Sequence, residues 1–302
     1  MKVMVTGGAG FIGERLIDTV LERGHTVTVL NHRPPRQKVA HVLVDLAGQL
    51  LPAELFEGVD AVIHLAGRNI FACWNDKVRK SIYDSRILST RSLVSSIARL
   101  DRKPSVFVSA SAVGIYGERG EEELDESSAP GGDFLARVCL DWEAEARKAE
   151  ALGLRTAQVR TAPVLGHGGM LAQMLPLYRW GLGGPLGSGR QWFPWIHIQD
   201  IVGIYVFSIE NKGVIGPINA CAPGQVTNKQ FSDALGKVLR RPAFMRVPQQ
   251  AVRLVFDGLA DFILASQKVV PRKAAAAGYQ FAFPEISGAL ADLVGRTERV
   301  AR

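Results

Sequence analysis

Short apolar runs alternate with amphipathic segments through the first half of the chain. The runs at residues 2–6 and 61–65 are nearly continuous, as expected of strands buried on both faces. Residues 11–23 repeat apolar positions at helical spacing, and Gly24 follows as a helix stop. The pattern predicts strands at 2–6, 26–30, 41–44, 61–65, 105–109 and 155–159, and helices at 11–23, 78–100 and 135–152. Because strands alternate with helices, we expect an α/β fold with a doubly wound parallel sheet.

The pattern becomes irregular after about residue 165. Residues 166–189 are rich in glycine, and helices are predicted at 171–180, 200–210, 228–239, 248–264 and 283–294. The sequence has no repeat and no flexible linker between its halves. We therefore expect the second half to form a smaller C-terminal substrate lobe that grows out of the first domain.

Composition favours a globular protein of a reducing compartment. The chain has 302 residues, of which 47% are hydrophobic and 22% charged. Its three scattered cysteines, Cys73, Cys139 and Cys221, argue against disulfides and share no metal-ligand spacing, so no metal is expected. Neither a signal peptide nor an apolar stretch of about 20 residues is apparent, so we expect a cytoplasmic protein without a membrane partner.

The net charge of +7 raises the question of a nucleic-acid partner. The lysines and arginines are dispersed, and no nucleic-acid-binding motif is present, so we expect none. A basic surface also suits a phosphorylated cofactor or an anionic substrate.

A glycine-rich loop joins the first predicted strand to the first predicted helix. The sequence TGGAGFIG places Gly7, Gly10 and Gly13 at the turn, with Phe11 and Ile12 opening the helix. Glycine lets the backbone approach a pyrophosphate closely, and the helix N-terminus offers unpaired N–H groups to its oxygens. In this strand–loop–helix context the motif predicts a Rossmann dinucleotide site. We therefore predict a Rossmann domain at 1–165 with contributions from 190–225, and a substrate lobe at 166–302.

The end of the second predicted strand favours NADP(H) over NAD(H). An acidic residue there would bind the ribose 2′-hydroxyl of NAD, and none is present. Arg33 can instead pair with the 2′-phosphate of NADP(H). The small residues after the fourth strand let the chain run beside the cofactor. The remaining predicted cofactor-binding residues are Leu65, Ala66, Gly67, Arg86, Ser109 and Thr161.

Together these segments resemble the extended short-chain dehydrogenase/reductases. The resemblance rests on TGGAGFIG, on HLAG at 64–67, on the serine-rich fifth strand leading to Tyr116, and on WIHIQD at 195–200. The segments GLGGPLGSG at 181–189 and FPWIH at 193–197 are similar to the epimerase-family branch of SDR39U1-like proteins. That branch carries a small C-terminal module, here expected at 248–296. The resemblance implies an NADP(H)-type cofactor, an unidentified small-molecule substrate and a possible homodimer through the helices at 78–100 and 135–152.

The chain lacks the acid/base pair that this superfamily uses. The usual chemistry needs a Tyr, a Lys four residues later to lower the Tyr pKa, and a Ser or Thr to polarise the substrate. No Tyr-x-x-x-Lys occurs in the sequence. If Glu143 takes the acidic position that often follows the Lys, the Lys position falls on Cys139 and the Tyr position on Leu135. Neither side chain can perform those roles.

Three other residues are candidates for proton transfer. Tyr116 is a possible displaced acid, although it could equally be a packed side chain beside a turn. Ser111 is the candidate serine, although a gap-free match places Ala112 there. His197 precedes a predicted helix and could be an acid/base or a structural group. Arg86 stands where relatives often have an Asn, and it could bind an anionic substrate or a phosphate.

Three functions remain open from the sequence. The first is an NADP(H)-dependent oxidoreductase acting on a small carbonyl compound or alcohol with atypical acid/base groups. The second is a catalytically silent NADP(H)-binding regulatory protein. The third is a sugar-nucleotide epimerase or dehydratase.

Overall fold

The computed structural model describes residues 1–72 and 74–300, with side chains to residue 295. Cys73 and residues 301–302 of the predicted lobe lie outside these described residues. The strands are β1 (Lys2–Thr6), β2 (Thr26–Asn31), β3 (Ala40–Leu43), β4 (Ala61–His64), β5 (Val106–Ala112), β6 (Glu123–Leu124), β7 (Arg155–Thr161), β8 (Val164–Leu165), β9 (Trp192–Phe193), β10 (Ile196–His197), β11 (Gly216–Ala220), β12 (Val226–Thr227) and β13 (Lys268–Val269). The helices are α1 (Phe11–Glu22), α2 (Asp76–Ala98), α3 (Phe134–Arg147), α4 (Gly169–Arg179), α5 (Ile198–Glu210), α6 (Asn228–Leu239), α7 (Gln249–Phe256), α8 (Ala260–Leu264), α9 (Arg272–Ala276) and α10 (Ile286–Val300).

The predicted α/β fold with a doubly wound parallel sheet is confirmed. Seven strands of the described chain form one parallel sheet in the order β11-β7-β5-β4-β1-β2-β3. The chain winds outward from β1 in one direction through β2 and β3, and from β4 in the other through β5, β7 and β11. In open parallel sheets the crevice beyond the strand ends at such a reversal is where ligands bind.

Two apolar clusters cover the faces of the sheet. One includes Leu16, Ile17 and Val20 of α1 and the buried residues of α5. The other includes Leu93 and Ile97 of α2 and Ala146 of α3, on the opposite face. The strands are therefore buried on both faces, which explains their continuous apolar runs.

The sheet also contains features that the sequence pattern missed. Strand β11 pairs in parallel with β7, but its sequence GPINA has a glycine, a proline and an asparagine and gives no strand signal. Strand β5 continues to Ala112, three residues beyond the predicted end. Ser111 and Ala112 therefore lie within the strand and not in the loop after it.

The C-terminal lobe packs around a separate apolar cluster from α4, α6 and α10. The prediction of one helix at 248–264 was wrong. Helix α7 ends at Phe256, Asp257 has a φ of 44°, and α8 begins at Ala260. The last helix begins at Ile286 and not at Phe283, and the backbone N–H groups of Ala282 and Phe283 ahead of it donate to the Asp200 carboxylate.

Within the described residues, every helix is too short or too polar to cross a bilayer. The same part of the chain contains no group of three or more His, Cys, Asp or Glu side chains arranged to hold a metal ion.

Candidate functional site

The glycine loop and the segment after β4 meet so closely that side chains would not fit between them. Gly7 has a φ of 74°, and a Cβ placed on it would lie 2.8 Å from the backbone N of Ala66. A Cβ on Gly13 would lie 2.4 Å from the carbonyl oxygen of Gly7. Gly10 is the N-cap of α1 and provides no side-chain cap. The loop therefore presents backbone amides and a helix N-terminus to the crevice, which suits a pyrophosphate.

The first two residues of α1 close one side of this loop. Phe11 is 38% exposed. Its ring packs against two glycines: a Cβ on Gly166 would lie 2.6 Å from the ring, and a Cβ on Gly168 would lie 2.8 Å from it. Ile12 is half-buried. Thr161, at the end of β7, is also half-buried, and its hydroxyl donates to the carbonyl oxygen of Val159 at 3.2 Å.

Arg33 lies over the glycine loop. It is exposed, and its Nη2 donates to the carbonyl oxygen of Ala9 at 2.5 Å. Asn31, at the end of β2, donates to the carbonyl oxygen of Arg33 at 3.1 Å and helps to fix this turn. The guanidinium thus stands beside the loop at the end of β2, where the 2′-position of a bound dinucleotide is expected.

A buried histidine packs beneath the glycine loop and the segment after β4, which together form the cradle for the pyrophosphate. His64, at the end of β4, contacts the Thr6 hydroxyl of β1 at 2.6 Å and the Thr90 hydroxyl of α2 at 2.9 Å. Burial lowers its pKa to about 3, so the ring is neutral at physiological pH. Ser109 pairs with His64 across β4 and β5 and is also fully buried, with its hydroxyl donating to the Ala110 carbonyl at 3.0 Å.

The positions of the missing Tyr and Lys carry side chains that stay uncharged. Leu135 is half-buried in α3, beside Gly114 and Phe262. Cys139 is 4% exposed, and burial raises the pKa of its thiol to about 12. Neither residue can donate a proton to a substrate or lower the pKa of a neighbouring acid.

Ser111 faces a buried ion pair that the sequence reasoning did not identify. Its hydroxyl donates to Glu143 Oε1 at 2.7 Å. Arg160, which pairs with Ser111 across β5 and β7, donates to both oxygens of Glu143 at 2.8 and 3.0 Å. Ser111 and Arg160 lie on one face of the sheet because they are directly opposite in register. That register was the signal that could have revealed the pair.

Tyr116 belongs to the same buried network. The side chain is fully buried, and its hydroxyl lies 2.6 Å from Asn219 Oδ1 and 3.0 Å from the Asp125 carbonyl oxygen. The hydroxyl also accepts a hydrogen bond from Arg160 at 3.0 Å. Burial raises its pKa to about 12. The geometry therefore favours a structural role for Tyr116 and gives no support to its predicted role as an acid.

His197 lies apart from the Ser111 and Tyr116 network. It is 2% exposed, and its Nδ1 accepts the N–H of Gln199 at 3.1 Å, which caps α5. Its ring stacks on Phe283 at 3.8 Å, and its Nε2 is 3.5 Å from Asp292 of α10. These contacts fit the structural alternative for His197. The ring also borders a cleft of about 490 Å³ beside α1.

The fold and the glycine cradle define a dinucleotide-binding protein of the short-chain dehydrogenase/reductase type. The chain belongs to the NAD dependent epimerase/dehydratase family, whose sequence model matches residues 3–221. A second model, a domain of unknown function called DUF1731, matches residues 247–293. The predicted resemblance to the SDR39U1-like branch is confirmed.

Relatives match over nearly the whole chain. The mouse epimerase family protein SDR39U1 is 40% identical, over 97% of this chain and all of the relative. The crystal structure of human SDR39U1 isoform 2 with NADPH superposes with a TM-score of 0.90 at 38% identity, covering 98% and 99% of the two chains. A nucleoside-diphosphate sugar epimerase from Corynebacterium glutamicum is 34% identical, with a TM-score of 0.80, covering 98% of this chain and 58% of that one.

Proposed function

We propose that this chain binds NADP(H) in the crevice beside β1 and β4. The observation that carries the proposal is the cradle of Gly7, Gly10 and Gly13, whose tight turn a Cβ at Gly7 or Gly13 would disrupt by meeting neighbouring backbone atoms. In this proposal the N-terminus of α1 holds the pyrophosphate, and residues 65–67 run beside the cofactor. Crystallisation of the human relative with NADPH supports the same choice of cofactor.

In this proposal, Arg33 recognises the 2′-phosphate. Its guanidinium is exposed and fixed beside the glycine loop by the Ala9 carbonyl, with donors left for a second acceptor. A charge-assisted pair with a phosphate is among the stronger hydrogen bonds in proteins. NAD(H) has a hydroxyl there and gains no such pair.

We further propose that the chain is an oxidoreductase acting on a small carbonyl compound or alcohol. When bound, NADPH supplies a hydride to a carbonyl carbon. The chain's own contribution is to hold the substrate at the ends of β4 and β5, beside Leu135 and Cys139. Since Leu135 and Cys139 cannot act as acids and Ser111 and Tyr116 are engaged elsewhere, water delivers the proton.

The first experiment is a binding titration with NADPH and NADH on wild type and Arg33→Ala. We expect the variant to bind NADPH about 10- to 100-fold more weakly, since a hydrogen bond to a charged group contributes about 1.5–3 kcal/mol, and to bind NADH as before. Arg36→Ala is the control, because Arg36 follows Arg33 by three residues in the same loop but pairs with Glu14 at 3.5 Å. An equal loss of affinity for NADPH and NADH in Arg33→Ala would contradict the 2′-phosphate contact.

The second candidate is a catalytically silent NADP(H)-binding regulator. It is favoured by the engagement of the candidate acids: the hydroxyls of Ser111 and Tyr116 are hydrogen-bonded within the buried network. The usual Tyr and Lys positions are occupied by Leu135 and Cys139, which stay uncharged. Single-turnover oxidation of bound NADPH by a panel of aldehydes and ketones separates the two. Turnover by any of them supports the oxidoreductase, and none at millimolar concentration supports the regulator.

A sugar-nucleotide epimerase is the third alternative. The name of the Corynebacterium relative supports it. Epimerisation through a transient ketone requires proton removal from a sugar hydroxyl and its later return by a positioned base. The described residues at the usual positions, Leu135 and Cys139, supply no such base, so we place this function behind simple reduction.

A further inference from the structure

Arg86 carries a positive charge that no carboxylate in the described part of the chain balances. It lies in α2, half-buried, and one of its N–H groups donates to the carbonyl oxygen of Ile82 at 3.1 Å. Its guanidinium carbon is 5.2 Å from the centroid of the Trp142 ring. A guanidinium has five N–H donors, so most of its capacity is open to another acceptor.

The groups around Arg86 cannot supply the missing negative charge. The Cys139 thiol beside it is kept protonated by burial, which raises its pKa to about 12. Glu143, one turn further along α3, is already paired with Arg160 and Ser111. Burial also lowers the pKa of Arg86 itself. A desolvated cation without a partner is unfavourable, and a bound anion relieves this penalty.

A buried donor with no acceptor among the described residues lies next to this cation. Trp142 is 4% exposed, and its Nε1 is a buried donor with no hydrogen-bond acceptor among the described residues. This is the ring over which Arg86 lies. Two neighbouring groups therefore call for a hydrogen-bond acceptor that the protein itself does not provide.

Gly67 packs against the guanidinium of Arg86 at the edge of the crevice. A Cβ on Gly67 would lie 3.4 Å from Arg86 Cζ and 3.6 Å from its Nε, so only a glycine backbone separates them. Gly67 is exposed and follows β4, and Cys139 is a further neighbour of Arg86. The cofactor phosphates are expected at the N-terminus of α1 and at Arg33. Arg86 is therefore left for a different anion.

We propose that Arg86 binds the oxyanion of a small carbonyl substrate, a carboxylate or a phosphate, next to the cofactor. This inference rests on the proposed function, because it names the substrate class of the same crevice. The planar fork of arginine matches either oxyanion through two parallel hydrogen bonds. The Trp142 ring holds the guanidinium in place for this contact.

The test is a calorimetric titration. The NADPH-loaded protein is titrated with pyruvate, with dihydroxyacetone phosphate and with neutral hydroxyacetone. We expect pyruvate or dihydroxyacetone phosphate to bind more tightly than hydroxyacetone. The Arg86→Met substitution should weaken the binding of the anions about tenfold or more. The better of the two anions identifies carboxylate or phosphate. NADPH affinity of Arg86→Met should stay within about threefold of wild type, less than the effect expected of a lost phosphate contact.

Arg91→Met is the matched control, with the same helix and the same charge change. Arg91 pairs with Glu145 at 2.7 Å and is half-exposed, so this variant should bind both anions as wild type does. Arg86→Lys keeps the charge without the fork and should bind the anions at an intermediate strength.

Two outcomes would overturn the proposal. One is equal anion binding by wild type and Arg86→Met, including no binding by either. The other is a large loss of NADPH affinity in Arg86→Met with anion binding intact, which assigns Arg86 to the cofactor. The anion titration is repeated without NADPH. Anion binding at Arg86 is then measured independently of the cofactor, so a failure of the cofactor proposal can be told apart from a failure of the Arg86 proposal.

Discussion

His64 holds together three elements beneath the cofactor cradle. Its two ring nitrogens contact Thr6 of β1 and Thr90 of α2, and the residue itself ends β4. One nitrogen of a neutral imidazole donates and the other accepts, so both hydroxyls can be satisfied without a charge. The ring therefore fixes the spacing between the glycine loop and the segment after β4.

This histidine makes stability fall at acidic pH. Its pKa is about 3 in the folded protein, against 6.5 for the free side chain, so below pH 6.5 the unfolded chain binds a proton that the folded chain does not. The contribution is complete above pH 6.5 and is lost as the pH falls toward 3, at up to about 1.4 kcal/mol per pH unit. Urea denaturation of wild type and His64→Gln at several pH values checks this. The stability advantage of wild type should shrink below pH 6.5, and a constant difference would contradict the assignment.

At the scale of elements, helix α3 brings together the residues that distinguish this crevice. Leu135, Cys139, Trp142 and Glu143 all lie on it, and it packs beside β5 and α2. The sequence pattern predicted a helix at 135–152, but α3 ends at Arg147 and a short 3-10 turn follows at 150–152. Gly153, with a φ of 85°, then turns the chain into β7.

The N-cap of α3 is a single side chain, which makes a simple test. Asp133 accepts the N–H of Ala136 at 2.8 Å. Asp133→Ala should lower the free energy of unfolding by about 1 kcal/mol, because an N-cap acceptor is lost, while Asp133→Ser should cost much less. Chemical denaturation measures both. Equal losses in the two variants would mean that the carboxylate acts through its charge and not as a cap.

At the scale of the whole molecule, buried polar contacts tie the C-terminal segment to the Rossmann core. Gln267 donates to the carbonyl oxygens of Val113 and Gly117 at 3.2 and 3.0 Å. Asp200 of α5 accepts the N–H groups of Ala282 and Phe283 at 2.8 and 3.0 Å. These contacts join segments far apart in sequence, so we expect core and C-terminal segment to unfold together.

Asp200 tests this coupling. The residue is 1% exposed, and Asp200→Ala removes the carboxylate that accepts the N–H groups of Ala282 and Phe283. We expect a loss of about 3 kcal/mol or more, with one cooperative transition and a smaller loss in Asp200→Asn, which keeps an acceptor. Thermal unfolding followed by circular dichroism and by tryptophan fluorescence gives the answer. Two separate transitions in wild type would show that the C-terminal segment unfolds independently.

The sequence by itself determined the strands β1 to β5 and β7 of the central sheet, and the glycine cradle. Both depend on local physics: continuous apolar runs report burial on two faces, and glycine reports a tight backbone approach. It also showed that the Tyr-x-x-x-Lys pair is missing, since that is a matter of residue identity.

Only the tertiary structure decided which polar groups remain available in the crevice. Ser111 and Tyr116 are plausible acids in the sequence, but Glu143, Arg160 and Asn219 engage them across separations of up to 103 residues. Arg86 is a candidate anion-binding residue in the sequence, but only the structure shows that its neighbours are uncharged or already paired. Propensity and periodicity describe a residue's own segment, whereas a hydrogen-bond partner depends on which distant segments the fold brings beside it.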